Sequence, residues 1–244
     1  MPNLIFDKAS VFYPSHAPIA AGEQRGIGAR IIKRGHRHSI ASLDKINLTL
    51  KSGDRVGIIG QNGSGKSTLL RLGSGILRPN EGDVIINGRV ATLFTTTIGM
   101  NMDASAIKNI RDAADLMSIP RKLINDTLAD VIDFSEIGAF ANQPMRTYSS
   151  GMRARVGFGL ATSFDTDILL IDEVFGTGDM QFYKKARKRL EDKIGQASIL
   201  MLASHSDRII STFCEKALWL HQGKIRDFGS IDSICKDYRK FMST

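Results

Sequence analysis

The sequence predicts an α/β fold built on a mostly parallel sheet covered on both faces by helices. Three observations point there. From residue 167 onward, short apolar runs alternate with amphipathic stretches. At 56–67, an apolar run ending in glycine (VGIIG) passes through a glycine-rich stretch (GQNGSGKS) into a helical pattern. Between these parts, from about 103 to 164, apolar residues recur at helical spacing. Strand–helix alternation requires crossover connections, which place parallel strands side by side with helices on both faces.

Taken in order, residues 4–13 (LIFDKASVFY) are rich in β-branched and aromatic side chains and read as a first strand. Pro14, Pro18, Gly22, Gly26 and Gly28 break that pattern. Residues 14–39 therefore read as an insertion between paired strands, with a short basic helix at 27–34, where Ile27, Ile31 and Ile32 fall at helical spacing. LDKINLTL at 43–50 alternates apolar and polar, as a half-buried strand does. Asn87-Gly88 lies between the apolar stretches of 83–94 and predicts a hairpin turn. In the helical block, Ile107, Ile110, Ala114 and Met117 share one face, and Leu123, Leu128, Val131 and Ile132 share another. Strands follow at 167–172 and 198–204, helices at 180–194 and 206–213, a hairpin turning at Gln222-Gly223, and a final helix over about 231–241.

Length and composition bound the function. The 244 residues suffice for one large domain or a domain with a sizeable insertion. The longest apolar runs are far too short to span a bilayer, and MPNLIFDKAS lacks the pattern of a secretory leader. Cys214 and Cys235 have no metal-like spacing and read as reduced, partly buried thiols of a cytosolic protein. The 33 basic residues exceed the 25 acidic ones by eight. Such an excess equally suits an anionic partner or a solvated basic surface. The basic residues cluster at Arg25, Arg30, Lys33, Arg34 and Arg37, with His36 and His38, and again at Lys184, Lys185, Arg187, Lys188 and Arg189.

The chemistry begins at 60–67, which fits G-x-x-x-x-G-K-[ST] without a mismatch, with Thr68 following. Gly60, Gly63 and Gly65 let the backbone fold into a nest whose N–H groups face phosphate oxygens. A helix opening near Gly65 adds its positive end. Lys66 is a point charge for β- and γ-phosphates, and the Ser67 hydroxyl is an Mg²⁺ ligand. Asn62 and Ser64 complete the loop. In ILLIDE at 168–173, four apolar residues make a buried strand whose carboxyl end presents Asp172 and Glu173. Ligands gather at such ends in open α/β sheets. Asp172 can hold Mg²⁺ directly or through water, and Glu173 can polarise an attacking water. His205 follows the next strand and can bridge a γ-phosphate. Tyr13, at the end of the first strand, can stack on adenine, and Phe12 on the opposite face competes for that role.

Together these segments resemble the nucleotide-binding subunit of an ABC transporter. GQNGSGKST is similar to that family's phosphate loop, YSSGM at 148–152 to its signature (usually LSGGQ), and ILLIDE to its magnesium and catalytic-base segment. GTGD at 176–179 falls at the D-loop and His205 at the switch histidine. The resemblance covers nearly the whole chain. It implies a single ATP-binding domain over 1–244, an ABC-type ATPase with a mostly parallel phosphate-loop core, an N-terminal antiparallel β subdomain and an inserted α-helical subdomain at about 100–164. RTYSSGMRARVGFGLA, DEVFGTGD and KALWLHQGKIRDFGS narrow it to exporters of lipid-linked polysaccharide, such as O-antigen, capsule and teichoic-acid transporters. Members often carry a segment between the first strands, as 14–39 is here. Some add a carbohydrate-binding domain, which is not expected beyond Thr244. Departures from the pattern are Thr95 to Thr97 in place of the Q-loop glutamine, Ser150 and Met152 within the signature, and Gly178 in the D-loop.

The resemblance further implies two copies in head-to-tail contact, with ATP and Mg²⁺ between the phosphate loop of one and Ser149, Ser150 and Gly151 of the other, and Asp179 nearby. Glu173 would be the base, and His205 and Lys66 the γ-phosphate partners. A multi-span permease and a lipid-linked glycan are the expected partners, at the cytoplasmic face of the plasma membrane, with the basic insertion near that face. Nucleic acid is not expected. Two rival readings remain. A soluble ABC ATPase acting on nucleic acid or ribosomes fits the charge, but such proteins usually carry two cassettes or a long coiled coil. A nucleotide-sensing module without turnover fits poorly with Lys66, Asp172, Glu173 and His205 all present.

Overall fold

In the computed structural model of the chain, the described residues are 1–15, 30–34, 37–94, 99–117, 119–172, 180–204 and 206–243, with backbone alone at 34, 37, 180 and 181. The first elements are β1 (Asn3–Ser15), β2 (Arg30–Arg34), β3 (Arg37–Lys51), β4 (Arg55–Ile59), α1 (Lys66–Gly73), β5 (Glu81–Asn87) and β6 (Val90–Leu93). Helices α2 (Ala106–Leu116), α3 (Arg121–Ser135) and α4 (Ser150–Ser163) follow. The chain ends with β7 (Ile168–Asp172), α5 (Met180–Gln196), β8 (Ile199–Ala203), α6 (Asp207–Phe213), β9 (Lys216–His221), β10 (Lys224–Ser230) and α7 (Ile231–Met242). Two compact units form. One comprises Met1–Thr92, Thr166–Glu173 and Ala197–Thr244, and the other Leu93–Asp165 and Val174–Gln196.

The first unit holds two sheets. One has the order β2-β3-β1-β5 with antiparallel pairing, and the other the order β10-β9-β4-β8-β7-β6. In the second sheet, β4 runs parallel to both β8 and β9, and β7 parallel to β8. Val56 to Ile59, Ile168 to Ile171 and all of β8 are buried, as expected of strands covered on both faces. Helix α1 packs on strands of both sheets. Its Leu69, Leu70 and Leu72 are fully buried, each contributing roughly 1.5–3 kcal/mol. Gly73 permits the close approach, since a Cβ there would lie 3.1 Å from Phe6 and 3.3 Å from Leu4. Cys214 and Cys235 are free and buried, and burial pushes the Cys214 thiol up to about 12.

Two expectations for this unit are corrected. Asn87-Gly88 does not turn a hairpin, because β5 pairs with β1 in one sheet while β6 lies beside β7 in the other. The turn is tied instead to Asp167, whose carboxylate accepts the Arg89 N–H at 2.8 Å, while the Arg89 carbonyl accepts the N–H groups of Asp167 and Ile168 at 2.8 and 3.0 Å. Residues 30–34 are a strand and not part of a basic helix. Ile31 and Ile32 are β-branched, and the free edge of β3 offers a ladder on which Arg30 pairs with Ala41 and Ile31 with Ile40. The rest of that expected helix, 27–29, lies outside the described residues.

The second unit is helical. Ile110, Leu128 and Val131 are buried in its core with Met145, Tyr148 and Val156, and Ala114 is buried as well. Met117 and Leu123, which helical spacing places on the faces of Ile110 and Leu128, are exposed near the connection between α2 and α3. Gly159 lets α4 approach α3, since a Cβ there would lie 3.1 Å from Phe134. Among the described residues, no helix is long and apolar enough to cross a membrane.

Candidate functional site

The chain leaves β4 at Ile59 and enters α1 at Lys66 through a turn with positive φ at Gly60 (152°), Gly63 (79°) and Gly65 (108°). Space as well as torsion demands glycine at two of them. A Cβ on Gly60 would lie 2.3 Å from the Leu220 carbonyl oxygen, and one on Gly65 2.4 Å from that of Ser42. Neighbouring strands thus grip the turn. The Gly223 N–H, in the β9–β10 turn, donates to the Ser64 carbonyl at 3.1 Å, and the Asp44 N–H donates to the Gly223 carbonyl at 2.8 Å. Lys66 Nζ donates to the carbonyls of Gly60 and Gln61 at 2.7 and 3.2 Å, which holds the ammonium against the loop.

A cavity of about 240 Å³ opens at the head of α1, lined by Ser42, Asn62, Gly63, Gly65, Lys66, Ser67, Thr68 and Asp172. The sheet explains why Asp172 is here: it ends β7, two strands from β4 across β8, so the carboxyl ends of parallel strands converge on one side. Gly60 and Ser64 frame the loop without lining the cavity, and the buried Ser64 Oγ has no hydrogen-bond partner among the described residues. Ser42 was not evident from the sequence. Its hydroxyl shares a 2.8 Å hydrogen bond with Thr68, and no local pattern marks it because β3 and α1 meet only in the folded chain.

The donor set suits a polyphosphate with a hard divalent cation. Left-handed glycines and a helix N-terminus turn N–H groups outward, the ammonium adds charge, and the Ser67 hydroxyl and Asp172 carboxylate are oxygen ligands of the kind Mg²⁺ takes. Tyr13 and Phe12 lie outside the cavity lining. Tyr13 pairs with Ile40 and is 39% exposed, and the Phe12 N–H donates to Asn80 Oδ1 at 2.7 Å. Glu173, His205, Asp179, Gly178 and Thr95 to Thr97 lie outside the described residues.

In the helical unit, YSSGM forms the start of α4. Tyr148 is buried, its hydroxyl donates to the Phe140 carbonyl at 2.6 Å, and Arg153 donates to the Tyr148 carbonyl at 2.6 Å. Ser149 is the N-cap, its Oγ accepting the Met152 N–H at 3.1 Å. Met152 packs against the unit's core. Ser149 and Ser150 are exposed, and a Cβ on Gly151 would meet only Ser149 Oγ, at 3.8 Å.

The sheets and the loop define a phosphate-loop nucleotide-binding protein of the α/β class. The chain matches the ABC transporter family over residues 43–176 and belongs to that family. It is 39% identical over 231 residues to the O-antigen export system ATP-binding protein RfbE of Yersinia enterocolitica, covering 92% of this chain and 97% of that protein. It is 37% identical over 201 residues, 82% of this chain, to the teichoic acids export ATP-binding protein TagH of Bacillus cereus, and 40% identical over 215 residues, 86% of this chain, to the O-antigen export system ATP-binding protein RfbB of Myxococcus xanthus. The chain spans 36% of the TagH protein and 49% of the RfbB protein. Among solved structures, an ATP-binding subunit of an ABC transporter superposes with a TM-score of 0.72 at 20% identity, covering 96% of this chain and 92% of that one. The dimeric post-hydrolysis state of the ATP-binding cassette MJ0796, bound to ADP and Pi, gives 0.68 at 19% identity, covering 93% and 98%. The fold is that of the ABC ATPase cassettes.

Proposed function

We propose that this chain is the ATP-hydrolysing subunit of an ABC exporter that drives a lipid-linked polysaccharide across the cytoplasmic membrane. One observation carries the reading: the match to an O-antigen export ATP-binding protein runs over nearly the full length of both chains, and every residue lining the phosphate-loop cavity except Ser42 falls within the matched family region. Backbone N–H groups of Gly63 and of Gly65 to Thr68, with the positive end of α1, bind the phosphates, and Lys66 exchanges its loop carbonyls for β- and γ-phosphate oxygens. Ser67 and Asp172 hold Mg²⁺, which when bound neutralises charge on the transferring group. Glu173 orients the attacking water and His205 contacts the γ-phosphate. Tyr13 stacks on the base.

Two copies close head to tail, so that Ser149, Ser150 and Gly151 of one cap the nucleotide of the other, with Asp179 at the join. No described residue demands a glycine at Gly151, which supports this, because the small residue then serves an approach from outside. A multi-span permease holds the pair at the cytoplasmic face of the membrane. The test is Glu173→Gln. ATP affinity should stay within about twofold, while phosphate release should fall about 100-fold or more, the usual scale for losing a positioned base. Release near the wild-type rate would refute the assignment of Glu173. Stimulation of the ATPase by lipid-linked glycan, in complex with the permease, tests the transport reading.

A further inference from the structure

We propose a second anion site at the β9–β10 turn, suited to a diphosphate group and separate from the phosphate-loop cavity. A cavity of about 330 Å³ opens there, lined by Arg30, His221, Gln222, Lys224, Ile225 and Arg226. Its charge is one-sided. Arg30 and Lys224 share a single carboxylate, Asp44, which pairs with Arg30 and lies 3.4 Å from Lys224. Arg226 has no carboxylate partner among the described residues. Its guanidinium lies 4.3 Å from the ring centre of Trp219 and 4.2 Å from that of Phe241, which fixes its plane and leaves its N–H donors without an anion. Three cations against one carboxylate leave an excess of two positive charges, with His221 beside them. The Arg30 Nε–H is buried with no acceptor among the described residues. Guanidinium forks match phosphate oxygens, and the open cavity has room for a small polyanion. Gln222 adjoins Gly223, whose N–H holds the Ser64 carbonyl, so the cavity shares one turn with the phosphate loop.

A diphosphate can come from a lipid headgroup or from solution, and the test separates them. The full chain is saturated with a non-hydrolysable ATP analogue and Mg²⁺, then titrated with inorganic pyrophosphate in a calorimeter. One pyrophosphate should bind per chain. The double variant Lys224→Gln, Arg226→Gln should bind it at least tenfold more weakly, with analogue affinity within twofold of wild type. If loss of the Arg226 stacking unfolds the double variant, Lys224→Gln alone should still weaken binding severalfold, since Lys224 is half exposed. No pyrophosphate binding, or binding unchanged in the variants, would overturn the proposal. Phosphatidylcholine vesicles bearing a diphosphate-headgroup lipid form the second arm. Cosedimentation that free pyrophosphate abolishes assigns the site to a headgroup, and pyrophosphate binding without cosedimentation assigns it to a soluble diphosphate. The proposal stands apart from the ATPase reading: an analogue that fails to bind counts against that reading, and the titration is then run without it.

Discussion

Glycine means two different things in this molecule, and the difference is measurable one residue at a time. At Gly65 the backbone is left-handed, and a Cβ would press to 2.4 Å on the Ser42 carbonyl. Gly65→Ala should therefore cost about 1–3 kcal/mol in urea unfolding and abolish ATP binding. At Gly151 the torsion is not left-handed and the surrounding space is open. Gly151→Ala should raise stability by about 0.4–1 kcal/mol, so that any functional loss reports a contact outside the chain. A third residue gives a pH signature. Burial, and next the nearby Arg226, hold the His221 imidazole below its ordinary value of 6.5. The unfolded chain then binds more protons than the folded one just below pH 6.5, so stability falls as pH drops through that window. His221→Gln should show a shallower fall in urea midpoint between about pH 7 and pH 5. The phosphate-loop residues were legible because their spacing is local. Ser42 was not, because its place beside Thr68 depends on β3 crossing α1.

The strands and helices separate into those set by local pattern and those set by available partners. The buried runs of β4, β7 and β8 and the β9–β10 hairpin follow from apolar content and turn chemistry. Asn87-Gly88 has hairpin chemistry too, yet it serves as a passage between sheets. The residues after it find a better ladder beside β7 than beside β5, and Asp167 fixes the exit. Asp167→Ala should remove the acceptor of the Arg89 N–H and cost about 1–2 kcal/mol in chemical denaturation. A change below a few tenths would mean that the sheets alone hold the passage. β2 teaches the same lesson from the other side. Two isoleucines in a basic stretch satisfy helical spacing, but the open edge of β3 supplies hydrogen bonds that a short isolated helix would not match.

For the molecule as a whole, the phosphate loop and the start of α4 belong to different compact units, and the chain contributes one of each. Head-to-tail pairing would unite two complete sites. In the Glu173→Gln background, ATP should convert the chain from monomer to dimer on a sizing column. Adding Gly151→Asp should block that conversion, by placing a carboxylate where a γ-phosphate must approach, while ATP binding persists. A variant that still dimerises with ATP would refute pairing through this surface.

The sequence by itself determined the family, the parallel core and the phosphate-binding loop. These rest on spacing along the chain and on short apolar runs bounded by turn signals. Tertiary structure alone decided that Asp172 shares a cavity with Ser67, that Ser42 and Leu220 crowd the loop glycines, and that Arg30, Lys224 and Arg226 gather at one turn. Apart from Lys224 and Arg226, which share β10, those neighbours lie far apart in sequence. Their contact depends on the order of strands in a sheet, which no local pattern encodes.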